Sequence, residues 1–393
     1  MSQSDDNQLF SELIKKANER SVRISMRYFD EYSTMIPGSL LEIIGVEESQ
    51  LNSDGKRILD YLENEPDTPS EEFSFTKFKW KLLAFISLQD IFDGKVLDDY
   101  KTDNLFQLKY FYYESKYILQ ECIIAGLCGL QVSNKQLLRS FIEFNLLQNY
   151  YTRLTEVDNS YNSFNQYLKH SNNPNYSKLV NKSFPNDEFC KPIKKRIQVE
   201  LKNLSERFNH AYGPKESLKQ FGVFTPSTSL PSPYFYVHMS CVLDMTLWMY
   251  FVNYPMLFLP VDIVRKFGFN APIGLFNNHS NDAIIRMAIS KEDYNAFHEY
   301  ALNQQVVVDL LNFYNCVEDL NDDAIWKTWD NERDNEDTIT TCYVKQIAKI
   351  RAISEFLCAN YVKMEDVTDE AINYFTSSYL HFSDLKKNYK NLK

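Results

Sequence analysis

Apolar positions along the chain recur mostly at helical spacing, and the longest apolar block, residues 233–264, is nearly free of charge. It reads PYFYVHMSCVLDMTLWMYFVNYPMLFLPVDIV, where only His238, Asp244 and Asp262 can ionise. A run of this kind has to be withdrawn from water, and its length and composition predict a buried central helix near 234–264. Residues 241–260 are also long enough to cross a bilayer. Asn253, Pro255 and Pro260 crowd the end of that stretch, however, and no Lys/Arg cluster flanks it. The expectation is a core helix, with no membrane partner.

Taken in order, residues 7–33 place Phe10, Leu13, Ile14, Ala17, Ile24 and Tyr28 on one helical face. Arg20, Arg23 and Arg27 are interspersed with acids, the pattern of a solvated surface. Residues 40–46 form a short apolar segment, and the acidic, Pro-containing stretch 63–72 reads as a linker or loop. Helical patterns follow over 75–92, 101–130 and 135–154, with a stop and N-cap expected at Val132, Ser133 and Asn134. The polar stretch 171–187 marks a boundary. Residues 191–204 are a basic helix with Pro192 in its first turn, and 213–233 a Pro-rich tether. Residues 265–280 read as an irregular link, and a helix capped by Ser290 runs to about Phe313. Residues 340–361 and 366–379 give a last helical pair.

The fold class is therefore all-α: a multi-helix bundle around the central apolar helix, with irregular loops. Its expected parts are an N-terminal helical region (1–68), two halves of a helical core (73–170 and 190–317), an acidic insert (318–337) and C-terminal helices (338–393). Only 10 glycines in 393 residues argue against a turn-rich β-sandwich.

Charge narrows the partners. A net charge of −11 disfavours a general nucleic-acid coat and leaves nucleic acid only a local basic patch. Seven cysteines, an odd number with no CxxC, read as reduced thiols in a cytoplasmic setting. The first ten residues have neither a basic start nor an apolar core, so no secretory signal is expected.

Candidate chemistry is sparse. No HExxH, P-loop, GxGxxG or GxSxG occurs, so no metal and no cofactor is expected. The Arg–His spacing of HEPN-type ribonucleases is absent, since Arg207 and His210 are only three apart. A HEPN-like site would have to draw its Arg and His from separate helices. Asp90 and Asp93 make a DxxD, but the second magnesium motif of terpenoid cyclases is missing. Within 134–152, Asn134, Asn145, Asn149 and Thr152 form a polar strip. Arg139 and Glu143 fall nearly opposite, beside Ile142, Leu146, Leu147 and Tyr150, so a charged pair is expected to face the interior. His238, if helical, shares a face with Cys241, Val242 and Met245, while Asp244 points elsewhere.

LLRSFIEFNLLQNYY (137–151) followed by YFYVHMS (234–240) resembles a widespread, uncharacterised family of helical bacterial proteins. The matching positions are Arg139, Glu143, His238 and Ser240. The resemblance implies a role in bacterial anti-phage defence or stress. Two functions are expected from different classes. One is an intracellular helical interaction protein that meets a protein partner or a second copy through Trp326 and Trp329 of the acidic insert. The other is a metal-independent nucleic-acid-processing enzyme, HEPN-like in class, in which Arg139 binds phosphate and Glu143 or His238 moves protons.

Overall fold

The computed structural model describes residues 38–64, 74–89, 110–158, 175–205, 234–261, 263–268, 277, 279–321, 323–325 and 327–328. Their regular structure is helical. In chain order it comprises α1 (Leu40–Ile44), α2 (Ser53–Asn64), α3 (Phe75–Ser87), α4 (Tyr110–Leu127), α5 (Gln131–Asp158) and α6 (Tyr176–Lys182). There follow α7 (Cys190–Leu204), α8 (Phe235–Asn253), α9 (Ile263–Phe267), α10 (His279–Ala288), α11 (Lys291–Leu302) and α12 (Gln305–Cys316). Among the described residues the β contact is one isolated bridge, Pro260 with Asn277. The expected helices 7–33, 340–361 and 366–379 lie outside the described residues, as does most of 63–72.

The apolar block forms the centre, as its composition requires. α8 packs against α3, α4, α5, α7 and α11. Its Met239, Val242, Leu243, Leu247, Tyr250 and Phe251 are all buried, each large apolar side chain contributing about 1.5–3 kcal/mol. α8 is long and apolar enough to span a bilayer, but most of it is packed inside the protein. It does not run through to 264. Pro255 ends it by pushing Tyr254 to φ −129 and ψ 65, and a 3-10 turn, Pro255–Phe258, follows.

α3 is the second central helix. Ser74 caps it by accepting from the Lys77 amide, and Lys79 and Lys81 are as buried as its Phe and Leu residues. Phe85 of α3 meets the rings of Tyr112, Phe141 and Tyr250 at centroid distances of 5.1–6.3 Å. Phe251, Phe258, Tyr294 and Phe297 make a second aromatic group between α8 and α11.

Several boundaries differ from expectation. The stop placed at 132–134 falls earlier. Gly129, at φ 75, closes α4 with amide bonds from Gly129 to Gly126 and from Leu130 to Ala125, and α5 begins at Gln131. Ser133 and Asn134 are thus inside α5. Asn134 turns inward and donates to the Cys122 carbonyl at 2.8 Å. The polar stretch 171–187 holds α6, which buries Leu179 and Val180 and is capped by Asn175. The link 265–280 contains most of α9 and the start of α10. The single helix expected after Ser290 is two, divided at Asn303 and Gln304, although Ser290 caps the first as expected.

Candidate functional site

Apart from Phe235 and Asn253 at its two ends, α8 is buried on all sides except one stripe, made by Val237, His238, Cys241, Asp244 and Trp248 on successive turns. The stripe carries the ionisable groups of the helix, and two polar assemblies form along it.

The first joins three helices. His238 Nε2 lies 2.5 Å from Glu200 Oε1 of α7, and its Nδ1 meets the Lys135 ammonium of α5. Burial pushes the Glu200 carboxyl up. The hydrogen bond and charge of His238, helped by Asn203 and Lys135, outweigh it and hold the group below the ordinary carboxylate range.

The second is deeper. Lys81, with a side chain only 3% exposed, donates at 2.9 Å to both Ser240 Oγ and Asp244 Oδ2. Burial holds the Asp244 carboxyl above its usual range, although Lys81 and Arg196 pull it down. Cys241 sits between the assemblies. Burial raises its thiol pKa and the Asp244 charge adds to this, so the group is a thiol and not a nucleophilic thiolate. Arg196 stacks on the Trp248 ring at 4.8 Å.

Arg139 and Glu143 pair with each other, Nε to Oε1 at 2.7 Å. Their side chains are 16% and 26% exposed, so the pair occupies a half-open edge and not the interior. The polar strip on the other side of α5 is buried too. Asn145 Oδ1 accepts from Tyr250 OH at 2.7 Å and from Ser115 Oγ, and the Gln148 amide oxygen takes the Tyr112 N–H at the start of α4. Helical periodicity separated the two faces, but both are largely buried: Ile142, Leu146, Leu147 and Tyr150 beside the pair are core residues as well, because α5 is enclosed by α4, α6, α7 and α8. None of His238's hydrogen bonds or ion pairs goes to Arg139 or Glu143.

Sequence reasoning missed Lys81, Lys135 and Glu200. Lys135 had a readable signal, since it lies one turn before Arg139 on the same stripe. Glu200 sits alone among cations on α7, and nothing local links it to a histidine 38 residues away. Both ring nitrogens of His238 are engaged by protein groups. Among the described residues no group of three His, Cys, Asp or Glu could hold a metal ion.

A different kind of feature lies on α12. Of its twelve residues only Val307 is buried. Val306 is 51% and Phe313 52% exposed; with Leu310 between them, they form an i, i+4, i+7 apolar stripe. Trp326 and Trp329 lie outside the described residues. The chain leading to them is anchored on α9. The Leu320 amide donates to the Arg265 carbonyl at 2.8 Å, Lys266 pairs with Asp319, and Ile325 is fully buried.

Compared with protein-family models, curated proteins and solved structures, the chain matches none.

Proposed function

We propose that this chain is a helical interaction protein that meets a protein partner along α12. The observation that carries the reading is the Val306–Leu310–Phe313 stripe, an apolar helix face about half open to water, with Phe313 stacked on Phe267 on one side. A cytoplasmic setting is supported by Cys122, Cys128, Cys190, Cys241 and Cys316, all free thiols. The resemblance read at Arg139, Glu143, His238 and Ser240 supports placing that partner in a bacterial defence or stress system. The test is co-purification with wild type and with Val306→Ser/Phe313→Ser, followed by reconstitution from purified components. A partner or second copy held by wild type and lost by the variant at unchanged melting temperature supports the reading. Retention by the variant removes α12 from the interface.

A second reading, the metal-independent nucleic-acid enzyme, is favoured by the Lys135–His238–Glu200 chain, which has the order of a proton relay. In it Lys135 and Arg139 bind phosphate and His238 moves the proton. Arg139→Lys is its sharpest test, because the charge stays and the planar fork is lost. Full nuclease activity in a folded Arg139→Lys variant contradicts the part assigned to Arg139.

A further inference from the structure

α6 and α7 are positively charged on a strongly acidic protein. Between residues 175 and 205, seven Lys and Arg side chains stand against three carboxylates, while the whole chain carries −11. Two of those carboxylates turn inward. Asp187 takes the Cys190 amide and the Tyr300 hydroxyl, and Glu200 takes His238. The third, Glu188, pairs with Lys191 at the start of α7. Lys178, Lys182 and Lys195 are exposed and have no carboxylate partner. Lys178 and Lys182 are one turn apart on α6, about 6 Å along the axis. On α7, Ile193, Ile197 and Leu201 face the core, so Lys191, Lys195 and Lys202 share the outer stripe.

We propose that this α6–α7 face docks on the phosphate backbone of duplex nucleic acid, without reading its sequence. Three observations select that partner. The exposed cations without a carboxylate partner are Lys, point charges carried on two helices in contact, which suit phosphates. Phe184 is buried and Phe189 half-buried, so the described side chains of these helices offer no exposed ring for bases to stack on, as a single-strand groove would need. The exposed apolar side chain among the large ones of these helices is Val199, which is too little to insert in a lipid interface. The surface is separate from the α12 stripe, and either proposal can stand without the other.

The experiment is fluorescence anisotropy of the full chain with a labelled 20-base-pair duplex DNA of mixed sequence, between 50 and 200 mM salt. Three phosphate contacts weaken binding about 40-fold across that range, and Lys195→Gln lowers the salt slope by about one contact. Lys178→Glu/Lys182→Glu/Lys195→Glu abolishes binding, and the milder Lys→Gln triple variant weakens it at an unchanged circular dichroism melt. Val306→Ser/Phe313→Ser binds as wild type. No binding at 50 mM salt, binding unaltered in the triple variants, or tighter binding to phosphatidylserine vesicles than to the duplex overturns the proposal.

Discussion

Lys81 shows how much one side chain can carry in this molecule. Its ammonium is held by Ser240 and Asp244 at 2.9 Å in an apolar setting, so each charge depends on the other. Lys81→Ala leaves Asp244 without its cation and is expected to cost about 3–5 kcal/mol in urea unfolding, whereas Lys81→Met/Asp244→Leu recovers most of that loss. The two carboxylates on the α8 stripe give opposite pH signatures. Glu200 titrates below its ordinary 4.5 in the folded chain, so its stabilisation is present above that value and is lost as pH falls through the depressed folded value. Asp244 titrates above its ordinary 3.8, so its contribution is complete below that value and is lost as pH rises through the raised one. Urea midpoints measured against pH should show Glu200→Gln flattening the loss on the acid side and Asp244→Asn flattening the decline above it. Parallel effects of the two substitutions would contradict the assigned environments. None of this was readable from residue type alone, because a lysine between Trp80 and Leu82 carries no mark of its burial.

At the scale of elements, close helix approach is most exposed to substitution at Gly126. A Cβ there would sit 2.2 Å from Phe235 Cδ2, the point where α4 meets the first turn of α8. Gly126→Ala gains about 1 kcal/mol in helix propensity but forces Phe235 out of place, and overpacking of this kind costs about 1–3 kcal/mol. The expected result is a net loss of stability that Phe235→Leu partly relieves in the double variant; a more stable Gly126→Ala would show that the contact yields freely. α7 was readable with nearly correct limits, and α8 in its existence and start but not in its end, which Pro255 sets at Asn253. α2, α6 and α10 escaped notice because they are short and mostly polar, and only tertiary contact shows which residues they bury. α5 was readable as a helix, but the burial of its polar strip was not. Its buried Asn145 and Gln148 are satisfied by Tyr250, Ser115 and the Tyr112 amide in the first turn of α4, partners 30 or more residues away.

The whole molecule combines an aromatic-rich helical core with two surfaces that the core does not explain. Burial of α8 predicts a chain that stays in the soluble fraction without detergent; recovery only in the membrane fraction would contradict the core assignment. The Arg139, Glu143 and His238 constellation read from sequence resolves into two assemblies, a half-open Arg–Glu pair and a Lys–His–Glu bridge between α5, α7 and α8. With both imidazole nitrogens engaged, the bridge ties those helices together, and the proposed interaction surface is α12. Hydrogen exchange over residues 305–316, compared between the isolated chain and its assembled state, tests that claim most directly. The account predicts slowed exchange across α12 on assembly, abolished by Val306→Ser/Phe313→Ser. Assembly that leaves those amides unchanged while protecting another surface would contradict it.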